Sequence, residues 1–295
     1  PDLCAPFDLL DEAVVARAAH AAGDTPERAR AALARERDTP GAAIAEALAR
    51  RGLEPHRWAP GLAEFYAEDP AAVYDTLAWN ASWVKRGLRA RVASRLPAPG
   101  RLLCHGDGLG IDAVAWARLG HAPLWCDASR PCRRFAEALF EDEGVSVSAV
   151  GSLADVPERS QDAVVSLDVL EHCPDPPAEV GLLAARLKPG GVAVVNAPFA
   201  LVGPRHPTHL DSNRRYSGEW AELYLANGLR PESGALFWDP LVLRLAPGEA
   251  GLLAPALTAP RFGSVLLSAA RLSALPFAAA EAYFDGAARA LRALR

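Results

Sequence analysis

Three glycines at alternate positions stand out in the segment LLCHGDGLG, residues 102–110. A short apolar run enters this turn, and an apolar, helix-like run leaves it. Because glycine lacks a Cβ atom, such a turn lets a ligand approach the backbone closely, and the N-terminus of the following helix favours ligand binding. Gly106, Gly108 and Gly110, with Asp107 between them, therefore predict a cradle for a small ligand. A tight turn that binds nothing is the alternative.

A second group of reactive side chains lies in the segment PFALVGPRHPTHLDSNRRY, which is rich in proline and polar residues and predicts a loop. Histidine exchanges protons near neutral pH, so His206 and His209 are candidates for acid–base chemistry. With Asp211 they also offer donors for a metal ion, but a loop does not fix donor geometry as a helix does, and we predict no metal. Histidines that only order the loop are the other interpretation.

The composition limits the class of protein. The chain has 295 residues, 51% of them hydrophobic, which suffices for one large core or two smaller ones. A net charge of -5 argues against nucleic acid as a partner, since such proteins usually carry a basic face. No apolar run approaches the roughly 20 residues that span a bilayer, and no signal-peptide pattern is present. Five cysteines without a CxxC pair fit a reducing compartment, so we expect a cytoplasmic protein.

The sequence pattern of the first part of the chain predicts helices, which would have to help position the glycine turn and the histidines. Amphipathic, alanine-rich runs indicate helices over residues 8–23, 26–38, 41–52 and 71–96. The stiff segment at residues 97–100, with two prolines and a glycine, predicts a domain boundary. We therefore expect a helical domain over 1–97 and a second domain over 98–295. The helical domain would cap a substrate pocket, form a homodimer interface, or do both.

After residue 100, short apolar strands alternate with helices, which predicts a parallel sheet covered on both faces. Strands are predicted at RLLCH, APLWCD, VSVSAV, DAVVSLDVL and VAVVNAPF, with two late strands near ALFWDPLVLRLA and FGSVLLSAARL. A turn at residues 188–191 and a helix at SGEWAELYLANG are also expected. Ligands of such sheets bind at the carboxyl ends of the strands, where the glycine turn and the histidine loop both lie.

The spacing of the glycines distinguishes between two ligand classes. The dinucleotide fingerprint is G-x-G-x-x-G, whereas here the third glycine comes one position early and Ile111 stands in its place. The GxGxG turn, followed in order by WCDAS, DAVVSLDVLEHCPDP, LKPGG and RRYSGEWAELYLANGLRP, resembles small-molecule class I S-adenosylmethionine-dependent methyltransferases over residues 102–235. The resemblance implies an α/β fold, a Rossmann-like, mostly parallel seven-stranded sheet with helices on both faces, preceded by the helical domain.

The resemblance also implies a set of residues that bind S-adenosylmethionine as cofactor. Asp127 would hold the ribose hydroxyls, since a carboxylate accepts several hydrogen bonds, or it would only cap the next helix. Asp168 would contact the cofactor or serve the backbone of its loop. The expected cofactor contacts are Gly106, Asp107, Gly108, Gly110, Asp127, Ala128, Ser152, Leu153 and Asp168. Cys104 departs from the family, which usually has an acid there, and this motivates the alternative of a non-catalytic scaffold.

A hydroxyl acceptor of the methyl group usually needs a base. His209 is the first candidate, His206 the second and His172, beside the expected cofactor site, the third. We predict O-methylation of a small molecule, in bacterial specialised metabolism as the resemblance suggests. Methylation of nitrogen or carbon and a nucleotide-dependent oxidoreductase are the alternatives, and neither nucleic acid nor a membrane is expected as a partner.

Overall fold

A seven-stranded sheet forms the centre of the computed structural model, which describes residues 7–234 and 240–246. The strand order is β3-β2-β1-β4-β5-β7-β6, and β7 runs antiparallel to the other six strands. The strands are β1 (Arg101–His105), β2 (Ala122–Cys126), β3 (Ser148–Val150), β4 (Gln161–Leu167), β5 (Leu187–Asn196), β6 (Leu229–Ser233) and β7 (Leu241–Leu245). The predicted Rossmann-like, mostly parallel sheet is confirmed.

Helices cover both faces of this sheet, as its apolar strands require. On one face, Leu102 and Cys104 of β1 pack in one core cluster with α7 (Ile111–Arg118) and α8 (Arg130–Asp142). On the other face, Leu103 belongs to a second cluster with α9 (Pro176–Arg186) and α10 (Trp220–Leu223). This alternation follows from the period of two along a strand. No helix in the described residues is long and apolar enough to cross a bilayer.

Within the residues that the structure describes, six helices precede the sheet. They are α1 (Glu12–Ala22), α2 (Pro26–Asp38), α3 (Ala42–Arg50), α4 (Pro60–Glu68), α5 (Ala71–Ala81) and α6 (Trp83–Ala93). Val15 of α1 and Leu77 of α5 are buried in the same cluster as Trp116 of α7 and Phe135 of α8. The preceding helices therefore share a hydrophobic core with the face of the sheet that carries α7 and α8.

The structure corrects the predicted helices at two places. The single helix over 71–96 is wrong, because Ser82 ends α5 and its hydroxyl accepts a hydrogen bond from Lys85 N, which starts α6. Helix α4 was not among the predicted elements. The long helix expected at SGEWAELYLANG is reduced to α10 and a following 3-10 turn at Leu225–Asn227.

The structure also corrects the predicted strands. Residues 188–191 are not a separate turn but an irregular start of β5, where the pairing with β4 shifts register. Strand β6 lies in a stretch that the pattern did not mark, and β7 takes the place of the first late strand. The second late strand, FGSVLLSAARL, lies outside the described residues.

Candidate active site

The glycine turn between β1 and α7 adopts left-handed backbone conformations at all three glycines, with φ of 65° at Gly106, 58° at Gly108 and 74° at Gly110. A Cβ atom at Gly106 would lie 2.4 Å from Val169 Cγ2, and one at Gly110 would lie 2.6 Å from an aromatic ring of α8. A Cβ atom at Gly108 would lie 3.2 Å from Thr76 Cγ2 and 3.9 Å from Thr76 Oγ1. Packing therefore requires glycine at positions 106 and 110. Gly108 lies where the loop faces helix α5.

The carboxylate of Asp107, inside the loop, is directed at the start of α7. Its Oδ1 accepts a hydrogen bond from Asp112 N at 3.2 Å, and its Oδ2 accepts one from Ala113 N at 2.8 Å. These bonds satisfy N–H groups that a helix start leaves without partners. Burial, followed by the nearby Asp112 charge, raises the pKa of Asp107 well above its usual range. The side chain of Asp107 thus stabilises the start of helix α7.

Asp127 joins the end of β2 to the glycine turn. Its Oδ2 accepts a hydrogen bond from Gly108 N at 2.9 Å, and its Oδ1 accepts one from Ser129 N at 2.8 Å. The residue that caps α8 is Ser129, whose hydroxyl accepts from Cys132 N. Burial raises the pKa of the Asp127 carboxyl. Asp127 is therefore positioned by the loop itself, and it is not the side chain that caps α8.

Three other predicted contacts lie at the same edge of the sheet. Ala128 follows Asp127 and is exposed, whereas Ser152 and Leu153 follow the neighbouring strand β3. The Ser152 hydroxyl accepts a hydrogen bond from Ala154 N at 3.1 Å, and Leu153 is buried. The carboxyl ends of β1, β2 and β3 thus bring the predicted cofactor residues together.

Asp168, directly after β4, has φ of 61°, a conformation that non-glycine residues rarely adopt. Its carboxylate accepts three hydrogen bonds, from Trp79 Nε1 at 3.0 Å, Lys85 Nζ at 3.2 Å and Asn196 Nδ2 at 2.8 Å. Residues that several contacts hold in a strained backbone conformation are often found at functional sites. Sequence reasoning did not find Lys85 here, because it lies 83 positions away in the chain.

The three predicted histidines come together above the ends of β4 and β5. The rings of His172 and His209 are 4.7 Å apart between centroids, and those of His206 and His209 are 4.6 Å apart. His209 Nδ1 donates a hydrogen bond to Leu201 O at 2.5 Å, which leaves Nε2 with the lone pair. Burial, then the neighbouring histidines, lowers the pKa of His209 well below its usual range. Burial also lowers the pKa of His172 to about 4, so both rings are neutral near pH 7.

Glu171 is the residue that sequence reasoning left without a role in this cluster. Its side chain is 1% exposed, and neither carboxylate oxygen has a hydrogen-bond partner in the described part of the chain. Oε1 lies 3.8 Å from His209 Nε2 and 4.0 Å from His172 Nε2. Burial, and after it the charge of Asp168, raises the pKa of Glu171 well above its usual range.

The donor atoms of Glu171, His172 and His209 lie within 4.8 Å of one another, which matches the chemistry of a metal site. The possible metal donors considered from the sequence are a different set, namely His206, His209 and Asp211. Asp211 is largely exposed and pairs with Arg214 at 3.0 Å. The structure thus groups Glu171, not Asp211, with the histidines.

The histidine loop is fastened to the preceding helices. His56, between α3 and α4, donates from its backbone N to Pro207 O at 2.9 Å, accepts at its backbone O from Asp211 N at 3.0 Å, and has Nδ1 3.0 Å from His209 O. Tyr66 of α4 has its hydroxyl 3.0 Å from His172 Nδ1. Residues before position 97 therefore help to place the histidines, a contribution that no local pattern signals.

Comparison with known proteins assigns the family. A family described as a methyltransferase domain matches residues 69–241, more than half of the chain. The chain belongs to this methyltransferase family. Its cofactor is S-adenosylmethionine, and the match does not support the oxidoreductase alternative.

Curated relatives are similar to parts of this methyltransferase. A ubiquinone biosynthesis O-methyltransferase of Xanthomonas axonopodis is 34% identical over 125 residues, which are 38% of this chain and 52% of the relative. A protein of the same name from Ralstonia nicotianae is 30% identical over 176 residues, 52% of this chain and 74% of the relative. Across the first five relatives, the match spans 37% to 59% of their length.

Among solved structures, a Burkholderia thailandensis 1,6-didemethyltoxoflavin-N1-methyltransferase, bound to 1,6-didemethyltoxoflavin and S-adenosylhomocysteine, has a TM-score of 0.46 and 20% identity. The alignment covers 57% of this chain and 81% of that protein.

Replacement of Gly108 by alanine tests the cradle. We expect at least about tenfold weaker binding of S-adenosylhomocysteine by calorimetry, because the added Cβ atom would lie 3.2 Å from Thr76 Cγ2 and would displace the backbone of the turn. Gly144→Ala is the matched control, since Gly144 also has positive φ (62°) but nothing within 4 Å of its Cβ position. Both variants lose stability, by roughly 1 kcal/mol for the strained backbone. Equal affinity in the two variants would contradict a ligand-binding role of the turn.

Proposed function

We propose that this methyltransferase transfers a methyl group from S-adenosylmethionine to a hydroxyl oxygen of a small molecule. The observation that carries the proposal is the neutral, buried His209, held with Nε2 unprotonated above the carboxyl ends of the strands. A hydroxyl is a weak nucleophile unless a neighbouring base accepts its proton. The names of the curated relatives, which are O-methyltransferases, support an oxygen acceptor.

The residues at the edge of the sheet fit the cofactor. Asp127, placed by Gly108 N and Ser129 N, keeps carboxylate lone pairs for the ribose hydroxyls. The backbone of the glycine turn approaches the same region, and Asp168 lies at the next strand end. When bound, the cofactor supplies an electrophilic methyl group on its sulfonium.

The histidine cluster provides the acid–base chemistry. His209 Nε2 accepts the proton of the acceptor hydroxyl while the oxygen takes the methyl group, and the products are the methyl ether, imidazolium and S-adenosylhomocysteine. Glu171 Oε1, 3.8 Å from Nε2, lies beside the imidazolium that forms. His172 and His206 flank the ring of His209 and keep it in position.

The acceptor is expected between the helical domain, residues 1–97, and the histidine loop of the second domain, residues 98–295. His56 already contacts this loop from the helical side, and Tyr66 contacts His172 beside it. Hydroxylated small molecules are the acceptor class, and they include both quinone precursors, as the relatives' names suggest, and specialised metabolites of bacteria.

A screen with matched acceptors tests the reaction type. Pairs of phenols and anilines with the same skeleton are incubated with tritium-labelled S-adenosylmethionine, and transfer to each member is counted. We expect the label on phenols and little on the matched anilines. Transfer to anilines alone would favour the alternative of N-methylation.

Chelation tests whether the Glu171–His172–His209 group works through a metal ion. Because His209 is assigned as the base, we expect the rate of methyl transfer to be unchanged after dialysis against a chelator. Loss of activity that returns with Zn²⁺ or Mg²⁺ would contradict this assignment, and a variant lacking the Glu171 carboxylate, Glu171→Gln, would then fail to recover.

A further inference from the structure

His56, in the segment between α3 and α4, has a backbone conformation that is rare for any residue with a side chain. Its φ is 65°, and among the described residues other than glycine only Arg159 (φ 49°) and Asp168 (φ 61°) also have positive φ. The left-handed conformation strains a residue that carries a Cβ atom, whereas glycine adopts it freely. Asp168 already belongs to the candidate site. The strain at His56 therefore calls for an explanation from the contacts that hold it.

Three polar atoms of His56 bond to the histidine loop. Its backbone N donates to Pro207 O at 2.9 Å, its backbone O accepts from Asp211 N at 3.0 Å, and its ring Nδ1 lies 3.0 Å from His209 O. Because a carbonyl oxygen can only accept a hydrogen bond, Nδ1 carries the proton and donates it to His209 O. The two backbone bonds need only the left-handed conformation, whereas the third bond needs the imidazole. The bond to His209 O is thus what a histidine adds at this position.

The peptide group between His209 and Leu210 is held at both of its polar atoms. His56 Nδ1 donates to His209 O, and Leu210 N donates to Glu171 O at 3.1 Å. The Leu210 side chain is 1% exposed and packs in one core cluster with Leu48 of α3 and with Leu62 and Phe65 of α4. The backbone on the C-terminal side of His209 is therefore set by the α3–α4 region, and His56 supplies its polar contact.

The placement of this peptide determines where the His209 ring can lie, because the ring is attached to the same residue. A base accepts a proton only within hydrogen-bond distance, and a displacement of about 1 Å can cost a factor of about 10² in rate. We propose that His56 is a positioning residue for methyl transfer, whose ring fixes the His209–Leu210 peptide and so places His209 Nε2 for proton transfer. His56 acts through His209 and is assigned no contact with cofactor or acceptor. This inference rests on the proposed function, in which His209 is the base.

Replacement of His56 by glycine separates positioning from folding, since it removes the ring and the backbone strain together. Glycine adopts the left-handed conformation freely, so the backbone bonds to Pro207 and Asp211 should remain. With a phenol that accepts the tritium label in the screen, we expect kcat to fall at least about tenfold and KM for the phenol to stay within about threefold. The affinity for S-adenosylhomocysteine, measured by calorimetry, should stay within about twofold. The midpoint of thermal unfolding should stay close to that of the wild type, because relief of strain offsets the entropy that glycine loses on folding.

Two further variants make the test specific. Asparagine tolerates positive φ and can place its Nδ2 donor where histidine has Nδ1, so His56→Asn is expected to keep kcat within about threefold of the wild type. Arg159→Gly is the matched control, since Arg159 also has positive φ but is exposed in the turn before β4. It should keep the kcat of the wild type.

A wild-type kcat in His56→Gly would overturn the inference. An equally low kcat in His56→Asn and His56→Gly would also overturn it, because the hydrogen bond to His209 O would then not be the cause. Loss of S-adenosylhomocysteine affinity and of thermal stability in step with kcat would assign His56 to the fold instead. An unchanged kcat in His209→Ala would contradict the proposed function itself, whereas a loss in His209→Ala beside a wild-type kcat in His56→Gly would overturn only the role of His56.

Discussion

Replacement of His209 by alanine is expected to lower kcat of methyl transfer by about 10²-fold or more, the usual contribution of a general base. The affinity for S-adenosylhomocysteine should stay within about threefold, because the side chain is assigned to the acceptor and not to the cofactor. Single-turnover rates with a phenolic acceptor and calorimetric binding would measure the two effects separately.

His20→Ala is the matched control, since His20 lies exposed in α1 and takes no part in the site. The pH profile adds a second readout. The active form of the base is neutral, so activity is lost as pH falls through the pKa of His209, which burial lowers well below its usual range. The pH at which activity is lost on the acid side should therefore lie well below the pH expected for an enzyme whose base is an exposed histidine. An unchanged kcat in His209→Ala would remove this residue from the role of base.

Asp127→Asn should produce the largest loss of cofactor affinity, about 100-fold for S-adenosylhomocysteine, since hydrogen bonds to a charged carboxylate contribute about 1.5–3 kcal/mol each. The amide also has only one oxygen, whereas Asp127 uses both of its oxygens to hold Gly108 N and Ser129 N. Binding of 5′-methylthioadenosine should fall equally, because both ligands share the ribose. The two ligands differ at the amino-acid end, which only S-adenosylhomocysteine carries, so calorimetry with both shows which part of the cofactor Asp127 contacts.

Asp11→Asn is a suitable control for this substitution, because Asp11 also accepts a backbone hydrogen bond, from Ala13 N, but at the exposed start of α1. Its ligand affinities should match those of the wild type. Selective loss of S-adenosylhomocysteine in Asp127→Asn, with 5′-methylthioadenosine unaffected, would show that Asp127 does not bind the ribose.

Local patterns predict much of this sheet because its central strands are short and apolar and end in recognisable turns. The glycine turn follows from its spacing, and Asp127 from its place after a buried strand. Strand β6 escapes such reasoning, since Arg230, Pro231 and Glu232 interrupt any apolar alternation. The break between α5 and α6 escapes it as well, because Ser82 is tolerated within a helix and becomes a cap only through its conformation.

The partners of the site residues depend on contacts between distant parts of the chain. Glu171 is adjacent to His172 in sequence, yet only the return of the histidine loop places it beside His209. Lys85 reaches Asp168 from helix α6 across 83 positions, and His56 reaches His209 O across 153 positions. No periodicity or motif encodes such pairs, whereas the element that carries each residue is largely readable from the sequence.

Transfer of a ¹³C-labelled methyl group tests the proposed reaction most directly. The wild type is incubated with S-adenosylmethionine labelled at the methyl carbon and with the acceptor found in the screen, and the carbon shift of the product identifies the atom that bears the methyl group. We expect an oxygen-bound methyl carbon, formed one for one with S-adenosylhomocysteine and nearly abolished in His209→Ala. A nitrogen- or carbon-bound methyl, formed equally well by the variant, would contradict the proposed reaction.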